Sequence, residues 1–250
     1  MNEVIAKRNN EIVYREGDTV VKLFNKGFLK TSVLNEALNQ ARIEEAGVNI
    51  PKIIEVKKID DQWAIVMDYI KGETLDELMK KNPNKTDEYL NLFVDIQLGI
   101  HSKRSQRLDS LRDKMNRKVS ASKGALDATL RFDLHARIDS APRHEKVCHC
   151  DFIPDNIIIS ENGAPYITGW SHAAQGNGAT DAAITYLDFY IAGQIENADK
   201  YLDLYCKKSD TAKQYVQTWM PVAAAAKITD YQEGGVRDLL MRFIDVVDSL

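Results

Sequence analysis

The chain has 250 residues, of which 44% are hydrophobic and 28% are charged, a composition that excludes an intrinsically disordered protein. Its net charge of −4 excludes a protein that neutralises nucleic acid over its whole surface, and its apolar stretches are far shorter than the about 20 residues that cross a bilayer. The three cysteines are too few for a disulfide framework, and the first residues lack a signal-peptide pattern. We therefore expect a cytoplasmic globular protein that binds neither membranes nor nucleic acid.

The first 68 residues are predicted to form a small antiparallel sheet with one helix. Hairpin turns are indicated by Glu-Gly-Asp at 16–18 and by Asp-Asp at 60–61. Between these hairpins, apolar residues recur at helical spacing from Ser32, a candidate N-terminal cap, to Gly47. The predicted strands are short β-branched or aromatic runs at 11–15, 19–24, 53–57 and 63–67.

A mostly helical region is predicted from residue 73 to the end, after a short connector at 69–72. Thr74 begins the first helical segment, and helices continue to about residue 140. Within this mostly helical region, one hairpin is predicted further along the chain, with strands at 157–160 and 166–167 around a Glu-Asn-Gly turn. The sequence therefore predicts an α+β fold.

Positive charge is concentrated between Lys103 and Lys123. This segment contains eight basic and two acidic residues, so its net charge is +6 and the rest of the chain carries −10. Basic runs usually form solvated helix faces, which is the interpretation we favour. The alternatives are a docking surface for a phosphate-rich partner and an adaptor protein that uses this basic face.

The segment 147–160 contains the residues best suited to chemistry. His149, Asp151 and Asn156 lie in a predicted loop that leads into the hairpin, so their side chains can converge on one cleft. An aspartate in such a loop can accept a proton from a hydroxyl group, and an asparagine oxygen can bind a divalent cation. This division of roles is typical of kinase-like phosphoryl transfer. We expect a structural role for His149 and the role of catalytic base for Asp151.

Residues in the N-terminal part complement this loop. Lys22 lies within a predicted strand, where its ammonium group can reach nucleotide phosphates, and Glu36 on the following helix can pair with it. Met67, Asp68 and Ile70 lie at the connector, where backbone groups can bind an adenine ring. Together these positions predict a nucleotide-binding site.

At these positions the sequence resembles the aminoglycoside phosphotransferase and choline kinase group of kinase-like enzymes. The resemblance extends over nearly the whole chain. Its strongest part runs from His149 to Asn156, which is similar to the group's His-Gly-Asp-Phe-x-x-x-Asn loop, and the segment 167–173 is similar to the group's Ile-Asp-Trp segment. The further matches are Lys22, Glu36, Pro51 and the hinge-like segment 65–72.

The resemblance implies a two-lobed protein-kinase-like fold, with a small antiparallel-sheet N-lobe and a mostly helical C-lobe. The nucleotide-binding lobe is expected at 1–68, the hinge at 69–72 and the helical lobe at 73–250. The helical lobe is expected to contain the catalytic loop at 147–156 and a metal-site segment at 166–173.

The resemblance also implies cofactors and an acceptor. ATP or GTP with Mg²⁺ is expected, and the γ-phosphate is expected to move to the hydroxyl group of a small molecule such as an aminoglycoside, choline or a sugar. Asp181 and Asp188 are acidic candidates for binding a cationic acceptor, although we favour solvated helix positions for both.

Two positions depart from the group's pattern. The aspartate that precedes the tryptophan and binds Mg²⁺ in the group is replaced by Gly169, so Asn156 remains as the expected metal ligand, and neighbouring Asp155 is expected to face away. Cys150 replaces a glycine, which adds a side chain where the loop needs unusual backbone angles. We therefore expect weakened Mg²⁺ binding and an impaired phosphotransferase. The alternative is a non-catalytic, pseudokinase-like nucleotide- or ligand-binding protein, natural or engineered.

A zinc site is the other chemistry that this segment suggests. Cys148, His149, Cys150 and His144 lie close together in the sequence, and His172 follows downstream. No Cys-x-x-Cys pair is present, and a shared metal needs an unusual geometry in so short a segment. We therefore favour structural roles for these thiols and imidazoles.

Overall fold

The computed structural model describes residues 3–8, 10–231 and 233–245. The strands are, in chain order, β1 (Glu3–Arg8), β2 (Glu11–Glu16), β3 (Thr19–Phe24), β4 (Ile53–Ile59), β5 (Gln62–Asp68), β6 (Gly72–Thr74), β7 (Lys146–Cys148), β8 (Ile157–Ser160), β9 (Pro165–Ile167) and β10 (Ala174–Gly176). The helices are α1 (Lys30–Glu45), α2 (Leu75–Lys81), α3 (Thr86–His101), α4 (Leu111–Ala121), α5 (Ala128–Ser140), α6 (Gly178–Ile191), α7 (Ile195–Ser209), α8 (Lys213–Gln217), α9 (Met220–Lys227) and α10 (Gly235–Ile244).

The chain divides into two compact units. The first unit contains Met1–Asn82 and Pro154–His172, and the second contains Pro83–Ile153 and Ala173–Leu250. Residues 154–172 therefore belong to the same unit as the first 82 residues, where they contact α1, α2 and β6. The lobe boundaries at residues 68 and 73 stay a prediction.

The first unit is built on an antiparallel sheet with the strand order β1-β2-β3-β5-β4. The predicted hairpins are confirmed, and Asp60 and Asp61 form the second turn with φ angles of +47° and +64°. Edge strand β1 was not predicted, and its Val4 and Ile5 side chains are exposed. A second, smaller sheet joins β6, β8 and β9, which confirms the predicted hairpin after the catalytic loop.

Helix α1 begins earlier than predicted and buries an unexpected face. The expected cap at Ser32 is wrong, because the helix starts at Lys30 and the preceding Leu29 provides no side-chain cap. Leu34 and Leu38, which contributed to the predicted helical spacing, are exposed. The buried positions of the helix are Val33, Glu36, Asn39, Gln40 and Ile43.

The second unit is helical, with a small β7–β10 sheet beside the catalytic loop. Helix α6 is buried over most of its length, and the buried residues of α3 include Leu90, Phe93, Ile96 and Ile100. The Phe93 ring of α3 packs against Phe152, Phe189 and Tyr201 at centroid distances of 4.4, 5.5 and 5.7 Å. Phe152 follows Asp151 directly, so this aromatic core fixes the C-terminal side of the catalytic loop.

Across residues 3–8, 10–231 and 233–245, none of the helices combines the length and the apolar character needed to cross a bilayer.

Candidate active site

Lys22 of β3 forms a buried ion pair with Glu36 of α1. The Lys22 Nζ donates a hydrogen bond to Glu36 Oε1 at 2.5 Å, and the two residues are 8% and 6% exposed. Side chains alternate along a strand, so Lys22 lies on the face of the sheet opposite to Val21, which is in the core. The pairing predicted from the sequence is confirmed.

Glu11 of β2 is a second carboxylate at Lys22 that was not predicted from the sequence. Its Oε2 lies 2.9 Å from Nζ, and its side chain is 13% exposed. In the β2–β3 ladder Val13 lies opposite Lys22, so Glu11, two residues earlier, projects from the same face as a diagonal neighbour. The register of the predicted hairpin is the signal that identifies it. Two carboxylates thus compete with any phosphate group for one ammonium group.

The backbone amide groups of Asp68 and Tyr69 at the hinge are bonded within the chain. The Asp68 N–H donates to the Lys52 carbonyl at 3.0 Å, and the Tyr69 N–H donates to the Asp18 carbonyl at 3.1 Å. The Ile70 N–H makes no hydrogen bond with the parts of the chain that the structure describes. Of these three amide groups, that of Ile70 is therefore the one that remains open to a ligand.

The Lys22–Glu36 pair and the hinge residues line one cavity of about 470 Å³ in the first unit. Its volume is typical of a pocket that binds a small molecule or a nucleotide. All five residues predicted to bind the cofactor line it. The lining includes Lys22, Glu36, Met67, Asp68 and Ile70, together with Glu11, Asp155, Thr168 and Gly169.

Gly169 lies directly beside the Asn156 side chain. A Cβ atom added at Gly169 would lie 2.9 Å from the Asn156 Nδ2 and 3.1 Å from its Oδ1. Gly169 has φ +80°, a left-handed conformation that glycine adopts without strain and that aspartate and asparagine tolerate best among the other residues. A carboxylate at this position would therefore adjoin the amide of Asn156.

The donors at these two positions do not fit a Mg²⁺ ion held between an amide and a carboxylate. Asn156 is fully buried and provides one neutral oxygen, and Gly169 provides no side-chain oxygen. Mg²⁺ in nucleotide sites is usually bound by one or two carboxylates together with the phosphates. Asp155 lines the cavity together with Thr168, and the expectation that its side chain faces away from Asn156 stays a prediction.

In the second unit, buried Asp181 of α6 holds the backbone of the catalytic loop. Its Oδ1 accepts a hydrogen bond from the Cys150 N–H at 2.7 Å, and its Oδ2 accepts one from the His149 N–H at 3.3 Å and lies 2.8 Å from the His101 Nε2. Burial alone would raise the pKa of Asp181, but the hydrogen bonds from His101 and Cys150 lower it. The predicted solvated position for Asp181 is wrong, because the residue is fully buried.

Cys150 has a left-handed backbone with φ +63°. A non-glycine residue in this conformation costs roughly 1–2 kcal/mol. The thiol is buried, and burial raises its pKa to about 12, so it is not a nucleophile at neutral pH. The sequence prediction that Cys150 strains the loop agrees with this geometry.

Asp188 of α6 also differs from its predicted solvated position. Its Oδ1 accepts a hydrogen bond from the Lys227 Nζ of α9 at 2.5 Å, with side-chain exposures of 15% and 17%. Burial raises the pKa of Asp188 to about 6 in spite of this partner. Both groups lie close enough to Asp151 to interact with it electrostatically.

Cys148 lies beside His101 and Asp181 rather than in the group suggested by its sequence neighbours. One ligand atom from each of the three lies within 4.8 Å of the others. The Asp181 carboxylate is already bonded to His101 and to two amides, and the Cys148 Sγ donates to the Lys146 carbonyl. Hydrogen bonding therefore accounts for this buried cluster.

Residues 4–218 match the family model of the phosphotransferase enzyme family. The chain belongs to this family. A search of curated proteins gave no match.

Solved structures of phosphotransferases share the fold of this family member. A ternary complex of a thermostable mutant of aminoglycoside phosphotransferase APH(4)-Ia with AMP-PNP and hygromycin B has a TM-score of 0.70 at 11% identity, covering 98% of this chain and 92% of that one. Aminoglycoside-3'-phosphotransferase of type VIII gives 0.64 at 15% identity, covering 99% and 93%. Choline kinase LicA from Streptococcus pneumoniae gives 0.63 at 15% identity, covering 100% and 94%. The resemblance and the kinase-like α+β fold expected from the sequence are confirmed.

Proposed function

We propose that this member of the phosphotransferase enzyme family binds a nucleoside triphosphate in the cavity of its first unit and transfers the γ-phosphate to the hydroxyl group of a small molecule, at a rate reduced by Gly169. The observation that supports this function is the cavity itself. It is lined by a buried Lys22–Glu36 pair, by the hinge and by the Thr168–Gly169 segment. The AMP-PNP and ADP named for related structures are nucleotides of the same class.

Asp151 is the proposed acceptor of the proton in this reaction. The acceptor oxygen attacks the γ-phosphorus, a new O–P bond forms, and the bond between the γ-phosphorus and the bridging oxygen of the nucleotide breaks. The proton of the acceptor hydroxyl moves to the Asp151 carboxylate, and the nucleoside diphosphate leaves with the bridging oxygen. Asp181 holds the backbone that positions Asp151, through the amides of the two preceding residues.

Lys22 is proposed to bind the phosphates of the nucleotide, with Glu36 fixing the direction of its side chain. Lys22 also contacts Glu11, so a bound phosphate must replace or outweigh that contact. Mg²⁺ normally neutralises the charge that develops on the transferred group. Because Gly169 provides no carboxylate for a metal ion, this neutralisation is weakened, and we expect slow turnover.

The alternative is a protein that binds a nucleotide or another ligand without turnover. Gly169 favours this alternative, because the carboxylate missing there is the feature on which the metal-dependent step depends. Binding in the cavity is common to both functions. Release of a nucleoside diphosphate distinguishes them.

The first experiment measures release of nucleoside diphosphate from ATP and from GTP with Mg²⁺, in the presence of aminoglycosides, choline and sugars. For a phosphotransferase, Asp151→Asn should lower the acceptor-dependent rate by roughly 10²–10⁴-fold, since it removes the general base. Nucleotide affinity should stay within a few-fold, because Asp151 acts on the acceptor. Asp109→Asn, at a surface position where the side chain is 64% exposed, is the matched control and should keep the parental rate.

Each outcome decides between the candidates. A parental rate in Asp151→Asn would assign the activity to another site or a contaminant. Nucleotide binding without diphosphate release would favour the non-catalytic alternative. A protein that binds neither ATP nor GTP would contradict the phosphotransferase and leave only the binding of another ligand without turnover.

A further inference from the structure

A second cavity, of about 300 Å³, lies within the helical unit. Its walls come from the start of α4, the loop that follows α5, the segment that leads from β10 into α6, and Trp219. Among the described residues that line it there is no member of the nucleotide cavity, and Asp151 is not among them either. This second cavity is therefore distinct from the site described above.

Trp219 brings an unpaired donor to the second cavity. The residue is 5% exposed, and its indole Nε1–H has no hydrogen-bond acceptor in the parts of the chain that the structure describes. A buried donor without an acceptor is unfavourable, and folded proteins rarely retain one. Because the indole of Trp219 forms part of the cavity wall, an acceptor atom of a ligand bound there would satisfy this group.

Two helices begin at the second cavity. Ser110, the N-cap residue of α4, and Asn177, the N-cap residue of α6, both line it. In the first turn of α4, the backbone N–H of Arg112 makes no hydrogen bond with the described parts of the chain. The N-terminal end of a helix carries a partial positive charge and binds anions. Two such ends at one cavity favour a negatively charged ligand.

The opposite end of a third helix is neutralised by the Arg112 side chain. The guanidinium group donates hydrogen bonds to the carbonyl groups of Asp139, at 2.9 Å, and of Ala141, which lie in the last turn and at the C-cap of α5. Carbonyl groups at a helix C-terminus disfavour an anion. Here they are already bonded to a cation, so α5 does not oppose the two helix N-termini.

The charged side chains around the second cavity balance one another. Arg112 and Arg143 are positive, and Asp113 and Glu145 are negative. His144 is neutral at pH 7, because partial burial and neighbouring basic groups lower its pKa. Both carboxylates are exposed, so water screens them more than it screens a buried group. Selection of a ligand therefore depends on the buried donor and the helix ends rather than on net charge.

We propose that this cavity is a binding site for a small anion, whose carboxylate or phosphate group accepts a hydrogen bond from the Trp219 Nε1–H at the start of α4. Arg143, which is exposed, adds positive charge at the edge of the site. Thr180 lines the cavity and directly precedes Asp181, the residue that holds the catalytic loop. The inference is independent of the proposed function, because no step of phosphoryl transfer enters it.

The test compares probes that differ in their anionic groups, on the full chain without nucleotide. Succinate against succinamide examines carboxylates, and glycerol phosphate against glycerol examines phosphates. Heteronuclear NMR spectra follow the indole N–H resonance of Trp219, which is assigned with Trp219→Phe. We expect at least one anion to shift this resonance downfield, as a new hydrogen bond does, and to bind at least about tenfold tighter than its neutral partner.

Three variants locate the binding site. Trp219→Phe should weaken the anion at least about fivefold, because it keeps an aromatic ring and removes the donor. Arg143→Gln should weaken it about two- to threefold, and Asp113→Asn should tighten it by a similar factor, since each removes one exposed charge at the cavity. Calorimetry measures the affinities, and melting temperatures verify that the variants fold.

Two variants of residues that do not line the second cavity are the matched controls. Trp63→Phe changes a tryptophan of the first unit. Arg117→Gln changes an α4 arginine whose side chain is 62% exposed. Each should change the affinity for the anion less than about twofold.

Several results would overturn the inference. These are equal binding of the anionic and neutral partners, a Trp219 indole resonance that no anion shifts, a Trp63→Phe effect as large as that of Trp219→Phe, and no binding of either anion at about 10 mM. If Trp219→Phe does not fold, the other two variants decide. An affinity that changes in neither Arg143→Gln nor Asp113→Asn would then overturn the inference.

Discussion

The Lys22 and Gly169 ends of the cavity differ in charge, although they belong to one compact unit. Lys22 is surrounded by two carboxylates, Glu11 and Glu36, in a buried arrangement. Gly169 places no side-chain carboxylate beside the neutral amide of Asn156. Under the proposed function, this cavity keeps a lysine for the phosphates but has no side-chain carboxylate at position 169 for a metal ion. Nucleotide binding and catalysis therefore need separate tests.

The largest expected effect is the loss of stability and of ATP affinity when Lys22 is replaced. Lys22→Ala leaves Glu11 and Glu36 facing each other in a buried site, so we expect a loss of about 3–5 kcal/mol in unfolding free energy. ATP affinity should fall at least tenfold, since a charge-assisted hydrogen bond contributes about 1.5–3 kcal/mol. Urea unfolding and calorimetry measure the two effects.

A double variant separates these two roles of Lys22. Lys22→Ala with Glu11→Gln should recover part of the stability, because it removes one of the two opposed carboxylates. It should not recover ATP affinity. Recovery of both would mean that Lys22 acts on the fold alone and does not bind phosphate.

The catalytic loop that contains Asp151 offers a second comparison, because its backbone is held by hydrogen bonds to Asp181. Asp181→Ala removes hydrogen bonds to His101 and to the Cys150 amide, and we expect a loss of about 2–3 kcal/mol. The lowered pKa of Asp181 gives stability that is present above its ordinary value of 3.8 and is lost as the pH falls below that value. Between about pH 5 and about pH 3, the unfolding free energy of the unaltered protein should therefore fall more than that of Asp181→Ala. Parallel acid unfolding of the two proteins would contradict the anchoring role.

The smallest expected effect concerns the strain at Cys150. Cys150→Ala keeps a Cβ atom in the left-handed conformation, whereas Cys150→Gly removes it. We expect the glycine variant to be more stable than the alanine variant by about 1 kcal/mol, the reverse of the order found at ordinary backbone angles. Thermal unfolding compares the two directly, and a more stable alanine variant would show that this position is not strained.

The strands, and the loop that carries Asp151 and Asn156, were predictable because their signals are local. Alternating β-branched residues and hairpin turns fix the β2–β3 and β4–β5 pairs. The spacing of Asp151 and Asn156 is a property of one loop, and the pairing of Lys22 with Glu36 follows from one strand and the next helix.

The buried face of α1 was not predictable from hydrophobicity. The helix buries Glu36, Asn39 and Gln40 because each has a polar partner in the fold. Asn39 donates to the Trp170 carbonyl, 131 residues away in the chain, and Gln40 donates to the Pro51 carbonyl. A pattern of apolar residues gives no sign of such partners.

The role of Asp181 was missed for the same reason. Its hydrogen-bond donors include the backbone amides of a loop about thirty residues earlier in the chain. Only the tertiary structure therefore shows how a charged residue of this helix can be buried. Lys118 of α4 was predicted to lie on a solvated face, whereas its Nζ donates to the Ala226 carbonyl at 3.2 Å. A charge run in the sequence does not show which of its members point inward.

The direct test of the account is the dependence of ATP affinity on Mg²⁺ at position 169. Calorimetry is carried out with Mg²⁺ and with a chelator on the unaltered protein, on Gly169→Asp and on Gly169→Asn, which matches the added volume without the charge. We predict that Mg²⁺ changes ATP affinity little in the unaltered and asparagine proteins and tightens it at least about tenfold, or ~1.4 kcal/mol, in Gly169→Asp. Equal Mg²⁺ dependence in all three proteins would contradict the claim that Gly169 removes a metal ligand from this site.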